Sequence, residues 1–233
     1  GLYFQLLMTR FKTSITLWMK LHFLKNFRFS MLEYIKKVTK KGIIEEPCIE
    51  NGKRYLQLFE KNEQGELLYT FTFFNVPQDS ILIRLDEKLL ETRNIFISSS
   101  SNECKNKNDF EYYLCKKADY LLIDLENRAI FIIEMKSSSR SEDHIIAQLK
   151  GGFCILKYIE AIINNFSNLF RYKSSLALPF DGFSCRFISI KHIRNATKGN
   201  KLCNSKNYED FSSAEKFLHL RGRNKIIYTH LIS

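Results

Sequence analysis

With 233 residues, 45% of them apolar, the chain is long enough to bury a core without disulfide or metal staples. A formal net charge of +11 turns attention toward polyanions, and three prolines with no low-complexity linker argue for one compact body. Six cysteines (Cys48, Cys104, Cys115, Cys154, Cys185 and Cys203) show no C-x2-C spacing. That argues against zinc and suits free thiols in a reducing cytoplasm, although an even count leaves disulfides open.

In chain order, Leu2-Tyr3-Phe4-Gln5 resembles the remnant of a protease cleavage site, so residues 1–7 are set aside and Met8 or Met31 is the expected natural start. Residues 15–29 are basic and apolar together. Lys20 and Lys25 interrupt the apolar run, leaving it too short to span a bilayer and without a small-residue cleavage site. A helix packed on the body or touching a polyanion is expected there, not a membrane segment. Residues 53–60, 67–74 and 81–85 read as strands, the first two as a hairpin, separated by Glu63-Gln-Gly-Glu and Val76-Pro-Gln-Asp. The pattern leaves open whether they enlarge the main sheet or form a subdomain. A loop at 99–108 follows this elaboration, so 1–98 is read as a basic helix with a β-rich elaboration and 99–233 as the core with a basic C-terminal segment.

Residues 118–136 carry the strongest signal. Two apolar runs, 119–125 and 128–134, flank Glu126-Asn127. A tight turn there makes a hairpin whose register sets Asp119 opposite Glu134, and the period of two sends Lys136 to the same face as Glu134. Opposed carboxylates repel unless a cation lies between them, and carboxylate oxygens suit a hard ion such as Mg²⁺ or Mn²⁺. A neighbouring amine stabilises charge developing on a phosphate or helps to orient and deprotonate a water. Asp124 falls on the opposite face at the turn end, where a carboxylate is expected to be solvated, and is left out of the site. The competing reading is an ordinary strand end, where Glu134 and Lys136 pair with each other at the surface.

Downstream, Ile145, Ile146, Leu149, Phe153, Leu156, Ile159, Ile162 and Ile163 recur every three to four residues, which predicts an amphipathic helix over 142–166 packed on the sheet. Gly151 and Gly152 within it imply close backbone approach, a kink or a break. Residues 184–191 alternate polar with apolar and read as a strand reached by a helical crossover. Strand, strand, helix, strand is the order of an α/β fold with a mixed sheet.

Asp119, the hairpin and Glu134-Met135-Lys136 with Ser137 and Ser138 behind it resemble the PD-(D/E)xK nuclease signature, over residues 103–193. The resemblance implies a restriction-endonuclease-like core, a mixed β-sheet flanked by helices, which cuts phosphodiesters with Mg²⁺ or Mn²⁺. It further implies that Asp119 and Glu134 hold the metal with the Met135 carbonyl, that Lys136 serves the attacking water, and that Gln148 on the following helix supports them. It also suggests an acidic residue on a helix before the first strand, for which Glu111 is preferred to Glu103. Ala118 stands where the family name has proline.

The charge is unevenly spread. Residues 1–41 hold nine Lys and Arg against one acid, residues 42–170 fifteen against twenty, and residues 171–233 twelve against four. An acidic centre between basic flanks fits a protein that grips a nucleic-acid backbone, DNA being favoured, with Arg221, Arg223 and Lys225 as one cluster and Lys191, Arg194, Lys198 and Lys201 as a second. The alternative is a solvated basic face. The five histidines show no metal or triad spacing and are expected to be structural or solvated, His144 alone lying near the site in sequence. No Gly-rich phosphate loop is present, which argues against an ATP-driven activity. The expected protein is a cytoplasmic Mg²⁺-dependent endonuclease, a homodimer if it cuts both strands. A non-cleaving binding or assembly protein on the same fold and an RNase are the alternatives.

Overall fold

A computed structural model describes residues 31–33, 35–36, 39, 42–62, 64–85, 116–136, 141–166, 180–191, 211–221 and 224–232. The strands are β1 (Ile44–Glu45), β2 (Cys48–Glu50), β3 (Lys53–Lys61), β4 (Leu67–Phe74), β5 (Ser80–Arg84), β6 (Tyr120–Asp124), β7 (Ala129–Lys136), β8 (Ser184–Lys191), β9 (Leu218–Arg221) and β10 (Lys225–Ile227). Helix α1 (Glu142–Phe166) follows β7, and the short α2 (Thr229–Ile232) closes the chain.

Among the described residues ten strands form two mixed sheets. The first runs β1-β5-β6-β7-β8-β9, with β7, β8 and β9 mutually parallel; the second runs β10-β4-β3-β2, with β10 parallel to β4. β6 and β7 are apolar almost end to end because their sheet is covered on both sides. Ile130 and Ile132 pack with Ile145, Leu149, Leu156 and Ile163 of α1. Phe131, Ile133 and Met135 point the other way, into a core shared with Leu56, Leu58, Phe71 and Phe73 of the second sheet. The molecule is thus a mixed α/β structure with a helix layer, a central sheet and an outer sheet. Among the described residues the second face of the central sheet carries the strands of the outer sheet.

The upstream strands divide: β1 and β5 enlarge the central sheet, while β2, β3 and β4 build the outer one, which the C-terminal β10 joins. The β3–β4 hairpin, the α1 span and β8 are as the sequence predicts. The short β9 and β10 lie in the segment read only as basic.

The β6–β7 hairpin keeps the predicted register but not the predicted turn. Asp124 pairs with Ala129 and Tyr120 with Ile133, so four residues, not two, form the loop. It is centred on Glu126-Asn127 and the facing residues are unchanged. Arg128 takes the left-handed conformation there (φ 52°). Asp124 contradicts the solvated reading: it is fully buried, because its carboxylate accepts from the Glu126 and Asn127 amides, the Asn127 side chain and the Tyr228 hydroxyl at 2.7–3.0 Å. An acid at a turn is buried without penalty once the turn's own donors and a distant phenol saturate it.

α1 runs unbroken through Gly151 and Gly152, which serve close approach. A Cβ at Gly151 would fall on the Lys116 carbonyl, and one at Gly152 would lie 2.7 Å from Ile132 Cγ2 and 2.8 Å from Ala118 Cβ. The helix therefore presses on the residues immediately before Asp119.

Candidate metal and phosphodiester site

The chain bends at Asp119, one residue before β6. Its amide donates to the Ile133 carbonyl at 3.1 Å, and its carboxylate accepts from the Met135 amide at 2.6 Å. Carried one step past Tyr120↔Ile133, the register sets Asp119 against Glu134. Met135 turns its side chain into the core between the sheets, so only its backbone serves the site. In an extended strand the amide and carbonyl of one residue face the same neighbour, which directs the Met135 carbonyl toward Asp119 as well.

Glu134 is 0% exposed, the sharpest departure from a surface ion pair at a strand end. Its Oε1 meets the Lys136 ammonium, itself mostly buried, and its Oε2 has no donor among the described residues. Burial pushes the Glu134 carboxyl well above the usual carboxylate range and the Asp119 charge pushes it further, while the Lys136 ammonium opposes both. Gln148 reaches from α1 to the Lys117 carbonyl at 3.5 Å, and its Oε1 is buried and unpartnered. The glycine-tight docking of α1 puts that amide two residues from Asp119.

The structure therefore brings together Asp119, Glu134, Met135 and Lys136, while Gln148 is placed by its contact with the Lys117 carbonyl. Glu111, Arg194, Lys198, Lys201 and Arg223 lie outside the described residues. Lys191 and Arg221 stand in register with Lys136 across β7, β8 and β9. Lys225 begins β10 in the outer sheet, exposed and paired with Thr72, and does not join them. His144 occupies the first turn of α1, half-buried.

Three residues near this end of the sheet were not singled out in advance. Ser189 and His219 share a register row with Glu134. The alternation in Ser184-Cys-Arg-Phe-Ile-Ser-Ile-Lys and in Leu218-His-Leu-Arg carried that signal, but β9 is only four residues long. Tyr69 comes from the outer sheet: its hydroxyl accepts from the Lys136 amide at 3.2 Å and donates to the Ile190 carbonyl at 3.0 Å. Burial pushes this phenol upward, so it stays protonated.

Among the described residues no group of three or more His, Cys, Asp and Glu could hold a metal ion, and no helix is long and apolar enough to cross a membrane. No family model, curated protein or solved structure matches the chain.

Proposed function

We propose that the chain is a divalent-metal-dependent nuclease on a restriction-endonuclease-like core of the PD-(D/E)xK type, hydrolysing phosphodiester bonds, DNA in preference. The observation that carries this reading is the Glu134 carboxylate: fully buried, beside a second carboxylate, with an oxygen that no described donor satisfies. A buried carboxylate in that condition is costly unless a cation completes it. Two carboxylates and a main-chain carbonyl are hard oxygen donors, the set that suits Mg²⁺ or Mn²⁺ and not a softer ion.

When bound, such an ion supplies Lewis acidity toward the phosphate and lowers the pKa of a water. The chain's own residues do the rest. Asp119, fixed by the Met135 amide, and Glu134 would hold the ion; Glu111 is the further acid the resemblance offers. Lys136 holds its ammonium at the carboxylate edge, where it meets a non-bridging phosphate oxygen or orients the attacking water. Gln148 supplies an amide from the opposite wall. Lys191 and Arg221 grip the backbone without reading sequence. Restriction, defence, repair and mobile-element processing all use this reaction, and double-strand cutting calls for two sites, hence a dimer.

The test is cleavage of plasmid, linear duplex, single-stranded DNA and RNA in Mg²⁺, Mn²⁺ or EDTA, comparing wild type with Lys136→Ala. Metal-dependent cutting that drops about 10²–10³-fold in the variant is expected. Binding without cutting on every substrate would replace this reading with a non-cleaving binding or assembly protein, and cutting of RNA alone would make it an RNase.

A further inference from the structure

Glu134 belongs to a row. The register Glu134↔Ser189↔His219 runs across β7, β8 and β9, and two residues on, Lys136↔Lys191↔Arg221 repeats it. Residues two apart share a face, and this face is the one bearing Ile132, Phe187 and Phe217 against α1. Among the described residues, Glu134 Oε2, Gln148 Oε1, Ser189 Oγ and His219 Nδ1 are buried side-chain atoms with neither a hydrogen bond nor an ion pair. Unsatisfied buried polar atoms are rare in native structures, so their concentration at one end of one sheet marks a place completed from outside.

The chemistry of the row changes from β7 to β9. At β7 it is anionic and suited to a metal. At β8 and β9 it offers a 1%-exposed hydroxyl, a half-buried imidazole with a buried, unpartnered Nδ1, and two cations for which no described carboxylate is an ion-pair partner. Burial, with the nearby Arg221 and Lys191, lowers the His219 pKa against the opposing pull of Glu142, so its imidazole is neutral at neutral pH and carries one donor nitrogen. Phe217 holds the ring edge-on, with centroids 4.4 Å apart. Hydroxyl, imidazole, ammonium and guanidinium share one class of ligand, an anion with several acceptor oxygens.

We propose that Ser189, Lys191, His219 and Arg221 form a second phosphate subsite, holding the backbone phosphate adjacent to the one placed between Asp119, Glu134 and Lys136. The strip from β7 to β9 spans two strand spacings, about 10 Å, so a nucleic-acid strand crosses the ends of the parallel strands. This subsite rests on the nuclease reading for its choice of ligand. It makes the substrate a polynucleotide, because a single phosphodiester would leave half the row unfilled.

The experiment has two arms. In EDTA, anisotropy titrations of a fluorescent oligonucleotide are made at several salt concentrations with wild type, Lys191→Ala, Arg221→Ala, Ser189→Ala and His219→Gln. Each cation variant should reduce the slope of log affinity against log salt by about 0.7–0.9, whereas Ser189→Ala should weaken binding about tenfold at unchanged slope. Ser189→Ala keeps its fold because the hydroxyl has no partner to lose. In Mg²⁺, oligonucleotides carrying one methylphosphonate next to the mapped cut are compared with all-phosphate substrate. Neutralising the subsite phosphate should slow wild type about tenfold and add no penalty in Ser189→Ala or His219→Gln. Unchanged salt slopes, or penalties that simply add, would overturn the subsite. No cleavage by wild type overturns the nuclease reading alone, since the binding arm still reports on the row.

Discussion

The two ends of the β6–β7 hairpin each carry a buried carboxylate, and they are opposites. Asp124, at the turn, accepts four hydrogen bonds from its own loop and from Tyr228. Glu134, at the other end, has one ion pair and an oxygen facing no donor. Both are 0% exposed, so burial does not separate structure from function here; saturation does. The fold fills the acceptors of Asp124 and leaves one oxygen of Glu134 without a described donor.

The comparison breaks first at the turn. Asp124→Ala should cost about 3–5 kcal/mol of stability by chemical denaturation, the range for removing one partner from a buried charged network, with activity per folded molecule retained. A loss below 1 kcal/mol would mean that the saturated end is not structural. At the other end, Mg²⁺ at a hundred times its dissociation constant should stabilise wild type by about 2.7 kcal/mol, read as a rise in Tm, and Glu134→Gln should abolish that rise. An equal rise in both proteins would put the metal elsewhere.

Gly151→Ala sharpens the placement of Gln148. Its methyl meets main chain at Lys116, so α1 must shift, at about 1–3 kcal/mol, and cleavage should fall more than stability does. The smallest effect is in the pH profile of the metal-free protein. The folded pKa of Glu134 is raised above its unfolded value, so the folded state binds the proton more tightly, and stability falls as pH climbs from the ordinary carboxylate range toward the raised value. Glu134→Gln should flatten that fall between the two; a wild-type profile already flat there would show that Lys136 compensates the charge fully.

Much of the site was legible because strand periodicity is strict. Once the apolar runs around Glu126-Asn127 are recognised, the pairing follows from the centre of the turn, and a loop twice the expected length leaves it intact. The helix was equally plain, since its apolar stripe and acidic first turn coincide with its limits. What stayed hidden depends on partners far away in sequence. Asp124 looked solvated because Tyr228 stands 104 residues off, and Tyr69 could not be placed at Lys136 before the two sheets were seen to stack. His219 was passed over because it has no histidine partner at metal or triad spacing, and four residues of alternation inside a basic segment were not read as a strand.

Tyr69 has a consequence for how the ends of β7 and β8 are joined. Neighbouring strands are normally drawn together by a direct amide-to-carbonyl bond, whereas between Lys136 and Ile190 two bonds in series pass through a phenol oxygen. The phenol oxygen acts as a rivet between β7 and β8 where each ends in a lysine. The outer sheet thereby ties together the two strand ends that carry Lys136 and Lys191.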